Sequence, residues 1–281
     1  MSITYHEPEA LDAAVRLLAE IEGARCIAGG QTLVAMLNAG LVEPAALVSL
    51  ARIPELGAIS RAGDGSLRIG AMATHEAIAE SPLVARESPL IAGAAGAIAH
   101  PPIRSFGTIG GAVAHGDPNA DYPAALVAAD ARVEIAGANG RRAVPAAAFF
   151  QDYLTTAVEP GEIVTAVLVP PPPAGVRGRF LKFTRVDGDY ATVSVAALLG
   201  CEAGACKHIA VALGAVAPRP VRDRDAEKAL IGRPPTDQAI AVLGETLAAA
   251  CDPVDDVRGS APYRRALVPI MVGRAIKSLM Q

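Results

Sequence analysis

Val169 is followed by four consecutive prolines, Pro170 to Pro173, and then by Ala174-Gly175. Each proline fixes φ and removes a backbone donor, so neither a helix nor a central strand passes through this run. The chain must therefore be organised on either side of an extended link, with a boundary near residue 170. A length of 281 residues agrees, because single cores stop growing near ~250–300 residues. Hydrophobic residues make up 52% of the chain and charged residues 19%, which rules out disorder. Aromatic residues are scarce and Trp is absent, so Ala, Val, Leu and Ile must build the core.

Before the link, helical and strand patterns alternate. Leu11, Ala14, Val15, Leu18 and Ile21 share one helical face, with Gly23 as a stop. Strands are predicted at 25–28, 46–50, 66–74, 131–137, 141–145 and 162–170. Helices are predicted at 31–40, after Thr74, over the Ala/Gly-rich stretch 89–99, and at 122–129. After the link, strands are expected at 178–185, 194–200 and 207–214, followed by helices near 222–231, 235–250 and 262–280. Pro269 lies inside the last apolar pattern, which predicts a late start or a kink. The fold class is α+β, with residues 1–170 forming a first domain and 171–281 a smaller sheet-and-helix domain.

Several function classes fall away. A net charge of −4 with no Lys/Arg run gives no footprint for nucleic acid. No stretch reaches the ~18 apolar residues of a membrane span. The N-terminus lacks a basic region followed by an apolar one, so a cytoplasmic location is expected. Cys26, Cys201, Cys206 and Cys251 form no C-x-x-C pair. They read as thiols and provide no ligand set for an iron–sulfur cluster.

Two segments share one local grammar: "CIAGGQTL" at 26–33 and "GTIGGAVA" at 107–114. In each, an apolar stretch runs into Gly-Gly and then into small or apolar residues. Glycine permits positive φ and close approach of a ligand to the main chain. Successive N–H groups from such a turn, or from a following helix start, suit phosphate oxygens. One such loop reads first as a plain turn; two suit a diphosphate. Neither has the spacing of a G-x-G-x-x-G fingerprint or of a P-loop.

"AGGQTL", "TIGGAVAHGDPNAD" and "KFTRVDGDYATVSVAALL", in that order, resemble the flavin-binding medium subunit of the molybdenum hydroxylases, the family of aerobic carbon monoxide dehydrogenase and xanthine dehydrogenase. The resemblance extends to "LRIGAMATHEAIAESP" and to the C-terminal region. It implies a two-subdomain FAD-binding domain of PCMH-like type, with a subdomain boundary near 55–60, followed by the C-terminal domain of such subunits. It further implies that Ala28, Gly29, Gly30, Gln31 and Thr32 form one phosphate loop, and Thr108, Ile109, Gly110 and Gly111 the other. Asp121 matches an aspartate that bonds flavin hydroxyls. Lys182 and Tyr190 match positions near the isoalloxazine ring, the two residues closest to catalytic roles. Ala112 departs from the pattern, because the family often has Asn there.

The same resemblance implies an electron-transfer subunit of a heterotrimer. A large subunit would carry the molybdenum cofactor and a small one the 2Fe–2S clusters, as a dimer of heterotrimers. The final acceptor would be a quinone, NAD or oxygen. Two other readings stand beside it: a self-contained flavin-dependent oxidase or reductase, and a non-catalytic scaffold whose glycine loops are only turns. On its own, Lys182 reads as a solvent-exposed strand residue. Its charge would suit reduced flavin. Tyr190 reads as a strand-edge aromatic or a flavin neighbour. His75, His100 and His115 lack short ligand spacing and read as loop or surface residues. Arg104 reads as an exposed side chain or a phosphate neighbour.

Overall fold

A computed structural model describes residues 3–281. The chain opens with strand β1 (Thr4–His6), helix α1 (Leu11–Glu20), β2 (Ala24–Ile27), α2 (Leu33–Asn38) and β3 (Ala46–Ser49). The strands form a parallel sheet of order β1-β3-β2. Helix α1 buries Leu11, Ala14 and Val15 against Val48 and Leu50, so the face read from the sequence is the packed one. Gly23 turns the chain into β2 with φ of +76°, a conformation that a side chain disfavours.

Next come β4 (Ile59–Arg61), β5 (Leu67–Gly70), α3 (His75–Glu80), α4 (Pro82–Glu87), α5 (Pro89–Ala97), α6 (Pro101–Arg104), α7 (Ile109–His115) and α8 (Asp121–Ala128). Strands β6 (Arg132–Gly137) and β7 (Gly140–Pro145), helix α9 (Ala146–Phe149), and strands β8 (Phe150–Asp152), β9 (Thr155–Thr156) and β10 (Ile163–Val169) complete this part. Its main sheet is antiparallel, of order β4-β5-β10-β6-β7. Helices α5 and α8 bring Leu90, Ile91, Ala94, Ala125 and Leu126 into its core. Ser81 and Thr74 cap α4 and α3 by accepting from Val84 and Ala77 N–H, as N-cap hydroxyls do.

After the proline link, β11 (Arg177–Phe183), β12 (Val193–Glu202) and β13 (Ala205–Gly214) form an antiparallel sheet. Helices α10 (Arg224–Lys228), α11 (Asp237–Ala249) and α12 (Ala261–Met280) follow. Strand β12 divides its side chains by the period of two. Ala196 and Leu198 face the core that holds α5 and α8, whereas Val193, Val195, Ala197 and Leu199 face a second core under α11 and α12. Both faces of this sheet are therefore covered, which explains the nearly continuous apolar run in β12.

Helix α12 corrects one expectation. It does not start late: it begins at Ala261, capped by Ser260, and runs through Pro269. Gly244 of α11 lets that turn approach, since a Cβ at Gly244 would lie 2.8 Å from Pro269 Cα.

Candidate functional site

Strand β2 ends where Leu50 N–H donates to Ile27 O at 3.0 Å, and the chain then leaves the sheet as the first glycine loop. Gly30 has φ of +72°, and Val34 N–H donates to Gly30 O at 3.0 Å to start α2. The N–H groups of Gly29, Gly30, Gln31, Thr32 and Leu33 find no acceptor among the described residues. A run of unpaired donors beside a left-handed turn is a concave anion site. The Gln31 side chain folds back, with Nε2 donating to Gly29 O at 3.1 Å.

The second loop meets the first. A Cβ on Gly29 would lie 1.9 Å from Phe106 O, so the two backbones touch, and a Cβ on Gly111 would lie 4.0 Å from Ala28 Cβ. Between the loops and the 154–164 segment runs a groove of about 700 Å³. It is lined by Ala28, Gly29, Gly30, Gln31 and Thr32 from one side and by Thr108, Gly110 and Gly111 from the other. Ile109 is fully buried in the core and does not line it.

The donors are divided unequally. Ile109 N–H donates to Ala73 O at 3.0 Å, Gly110 N–H to Ala71 O at 2.8 Å, and Gly111 N–H to Thr108 Oγ1 at 3.2 Å. These three amides, unlike those of the first loop, are already paired. Gly110 is required for close packing, since its Cβ would lie 2.5 Å from Ala71 Cβ. The second loop thus offers a bare wall at Gly111, and the first loop supplies the free amides.

Asp121, Lys182 and Tyr190 lie outside the groove lining. Contrary to the exposed reading, the Lys182 side chain is only 8% exposed. Its Nζ donates to Asp121 Oδ2 at 2.9 Å and to Ala97 O at 2.6 Å. Strand alternation sets this: Lys182 shares the face of Phe180, which packs toward the core containing α5. Burial pushes the Asp121 carboxyl up to about 6, opposed by the nearby Lys182 ammonium. Asp121 Oδ1 is buried without a partner among the described residues, an acceptor that a hydroxyl would satisfy.

Tyr190 is 43% exposed, and the Arg258 guanidinium lies 5.2 Å from its ring centroid. Arg258 is itself held by Asp189 Oδ1 at 3.0 Å. Burial and the Asp117 carboxylate raise the Tyr190 phenol above its usual range.

The sequence reading missed the device that holds this loop. Arg264 is buried at 2% exposure; it donates to Thr192 O and Ala215 O, each at 2.8 Å, and pairs with Asp256. Thr192 Oγ1 in turn donates to Arg258 O at 3.2 Å. A signal existed. Arg264, Val268, Met271, Val272, Ala275 and Ile276 form one helical stripe, and a charge on such a stripe marks a buried partner.

His75 is a second correction. It is not a surface residue but 5% exposed, hydrogen-bonded through Nδ1 to Tyr122 Oη at 3.1 Å. Tyr122 is fully buried on α8, 47 positions away in sequence. Burial, aided by Arg104, pushes the His75 imidazole down to about 4. The unfolded chain therefore binds a proton here that the folded chain refuses, and the contribution of His75 is complete above pH ~6.5. It is lost as pH falls toward about 4. Urea unfolding at pH 7, 5.5 and 4.5 is expected to show a decline of roughly 2–3 kcal/mol from this group. In His75→Gln that decline is expected to flatten.

His100 is exposed and His115 borders the groove. Among the described residues no cluster of His, Cys, Asp or Glu could hold a metal ion. Arg104 is not free either: its guanidinium donates to Ile98 O at 3.0 Å and Ala99 O at 2.9 Å, bracing a turn.

Comparison with known proteins gives these features a setting. Residues 1–172 match the FAD binding domain in molybdopterin dehydrogenase, and residues 179–279 match the CO dehydrogenase flavoprotein C-terminal domain. The carbon monoxide dehydrogenase medium chain of Hydrogenophaga pseudoflava is 36% identical over 275 residues, covering 98% of this chain and 96% of the relative. The nicotine 6-hydroxylase medium subunit of Paenarthrobacter nicotinovorans is 34% identical, also over 98% of this chain and 96% of the relative. A solved carbon monoxide dehydrogenase from Hydrogenophaga pseudoflava, lacking the Mo-pyranopterin moiety of its molybdenum cofactor, superposes with a TM-score of 0.96 at 38% identity. That match covers 100% of this chain and 98% of the solved one. Quinoline 2-oxidoreductase from Pseudomonas putida 86 gives 0.94 at 33% identity, over 99% of this chain and 97% of the other. With family matches on both sides of the proline link and relatives aligned along nearly its whole length, the chain belongs to the FAD-binding medium subunits of the molybdenum hydroxylases.

Proposed function

We propose that this chain is the electron-transfer subunit of a heterotrimeric molybdenum hydroxylase. In this reading it receives electrons from 2Fe–2S clusters of a small partner subunit and delivers them to an external acceptor, a quinone, NAD or oxygen. Substrate hydroxylation belongs to a large subunit with the molybdenum cofactor. The observation that carries the reading is the run of amides from Gly29 to Leu33, unpaired among the described residues, in a loop that lines one groove with Gly111.

These residues fit the cofactor. The free amides of the first loop suit a diphosphate without a lysine, and Gly111 leaves the opposite wall bare. Asp121 Oδ1 suits a flavin or ribose hydroxyl. The Lys182 ammonium keeps Asp121 oriented through Oδ2. Tyr190, with Arg258 over its ring, is in this reading the residue that meets the flavin ring. When bound, FAD accepts electrons singly and releases them as a pair, while the protein supplies position and electrostatics.

Partner subunits are supported by exposed apolar residues near the groove. Helix α2 buries none of its residues, and Leu41 and Phe106 are 71% and 63% exposed. We propose the doubled heterotrimer as the assembly, to be checked by native mass spectrometry. No described helix is long and apolar enough to cross a membrane. All four cysteines are free thiols, which supports a cytoplasmic location. Division into domains at 1–170 and 171–281, with a subdomain boundary near 55–60, is likewise our proposal.

The purified protein is expected to absorb near ~450 nm as oxidised flavoproteins do, and Gly111→Val is expected to bleach it. An added Cβ at position 111 would lie 3.1 Å from Thr108 Oγ1 and 4.0 Å from Ala28 Cβ, both side-chain atoms, so folding should survive. A colourless wild-type protein that ignores added FAD would leave only the scaffold reading. Steady substrate turnover by the isolated chain would favour a self-contained flavoenzyme.

A further inference from the structure

At the end of the β12–β13 hairpin, Cys201 stands directly across from Cys206. The hairpin closes through Ala203 and Gly204, with φ of +49° and +78°, the signature of a two-residue I′ turn. Glu202 and Ala205 flank that turn as the closing pair, so the next pair is of the type that exchanges no hydrogen bonds. The surroundings of Cys206 agree. Its N–H donates outward to Arg233 O and its carbonyl accepts from Gly232 N–H, each at 2.8 Å, so neither points at Cys201. In such pairs the Cα atoms lie about 4.5 Å apart with side chains on the same face. That spacing is inside the range of about 4.4–6.8 Å that a disulfide spans.

Both thiols face the same layer. On β12, Cys201 continues the series Val195, Ala197 and Leu199, which packs on the α11–α12 core, and Cys206 is a member of that core. They differ in access: Cys201 is exposed and Cys206 fully buried.

We infer that Cys201 and Cys206 form a reversible dithiol–disulfide pair that takes up oxidation by hydrogen peroxide. Peroxide oxidises the accessible Cys201 thiol to a sulfenic acid and leaves as water. The Cys206 sulfur then attacks the Cys201 sulfur, forming the S–S bond and expelling a second water. The two thiols lose two hydrogens in total, and peroxide is reduced to two waters. Burial raises the Cys206 thiol above its usual range, so Cys206 serves as the resolving partner and Cys201 as the entry point. Capture by Cys206 spares Cys201 from irreversible oxidation.

The test uses the full-length protein as purified, treated briefly with hydrogen peroxide, alkylated under denaturing conditions and digested with trypsin. Residues 186–207 form one peptide holding both cysteines. This peptide is expected to lose two hydrogens and resist alkylation until dithiothreitol is added. Cleavage after Glu202 should leave its halves linked. In Cys201→Ser, Cys206 should remain alkylatable; in Cys206→Ser, Cys201 should progress to sulfinic acid. Sulfinic or sulfonic acid on Cys201 of the wild type, with Cys206 still alkylatable, overturns the proposal. An unchanged peptide at a dose that oxidises Cys201 in Cys206→Ser also overturns it. Cys201→Ser alters only an exposed position, so the result does not hinge on the folding of the core variant.

Discussion

Arg264→Ala is expected to lower the unfolding free energy by about 3–5 kcal/mol, from the buried carbonyls it leaves unpaired at ~1–3 kcal/mol each and from the cavity it opens. The guanidinium is 2% exposed and joins three segments at once: the start of β12 through Ala191 and Thr192, the end of β13 through Ala215, and the 256–259 turn through Asp256 and Gly259. Removing it leaves several buried carbonyls unpaired, each with its own desolvation cost. Urea titration of the purified protein measures the loss. Arg264→Lys should recover only part of it, because an ammonium lacks the planar fork that reaches several carbonyls. A second readout separates this hub from ordinary core packing: the Tyr190 loop is held through Thr192 and Arg258, so Tyr190 fluorescence should change in Arg264→Lys. Wild-type stability in the alanine variant would remove Arg264 from this role.

Gly29→Ala is expected to weaken FAD retention by about ten- to a hundredfold, the range set by overpacking costs of ~1–3 kcal/mol. The single added carbon would lie 1.9 Å from Phe106 O and 2.6 Å from Phe106 C. Main-chain atoms cannot rotate aside as a side chain would, so the two loops must separate. Separation displaces the run of free amides from the opposite wall, so binding should suffer more than folding. Flavin content after gel filtration and a fluorescence titration with FAD give the two numbers. Gly273→Ala is the control, since among the described residues no atom of another segment lies within 4 Å of its added Cβ. FAD affinity unchanged in Gly29→Ala, with wild-type stability, would separate this contact from the binding site.

The glycine loops were legible because backbone freedom is written directly in residue type. The α1 face and the apolar run of β12 were legible because periodicity is local. Other features depend on contacts between distant segments. His75 meets Tyr122 across 47 positions and Lys182 meets Asp121 across 61, so nothing near either residue announces its burial. The unequal state of the two loops was equally hidden. Both read as Gly-Gly followed by small residues, yet the acceptors that occupy the second are carbonyls of Ala71 and Ala73 on a different segment. The late start expected from Pro269 is not seen, because α12 holds the proline in its interior where a facing glycine admits the turn. That glycine is Gly244, on the preceding helix.

The β11–β12–β13 sheet acts as a party wall between two cores. A fragment carrying only residues 171–281 would leave Phe180, Ala196, Leu198 and Ala212 facing water, a strip suited to clumping. A protease cut within the proline link should accordingly yield two pieces that stay joined in native buffer and come apart only on denaturation.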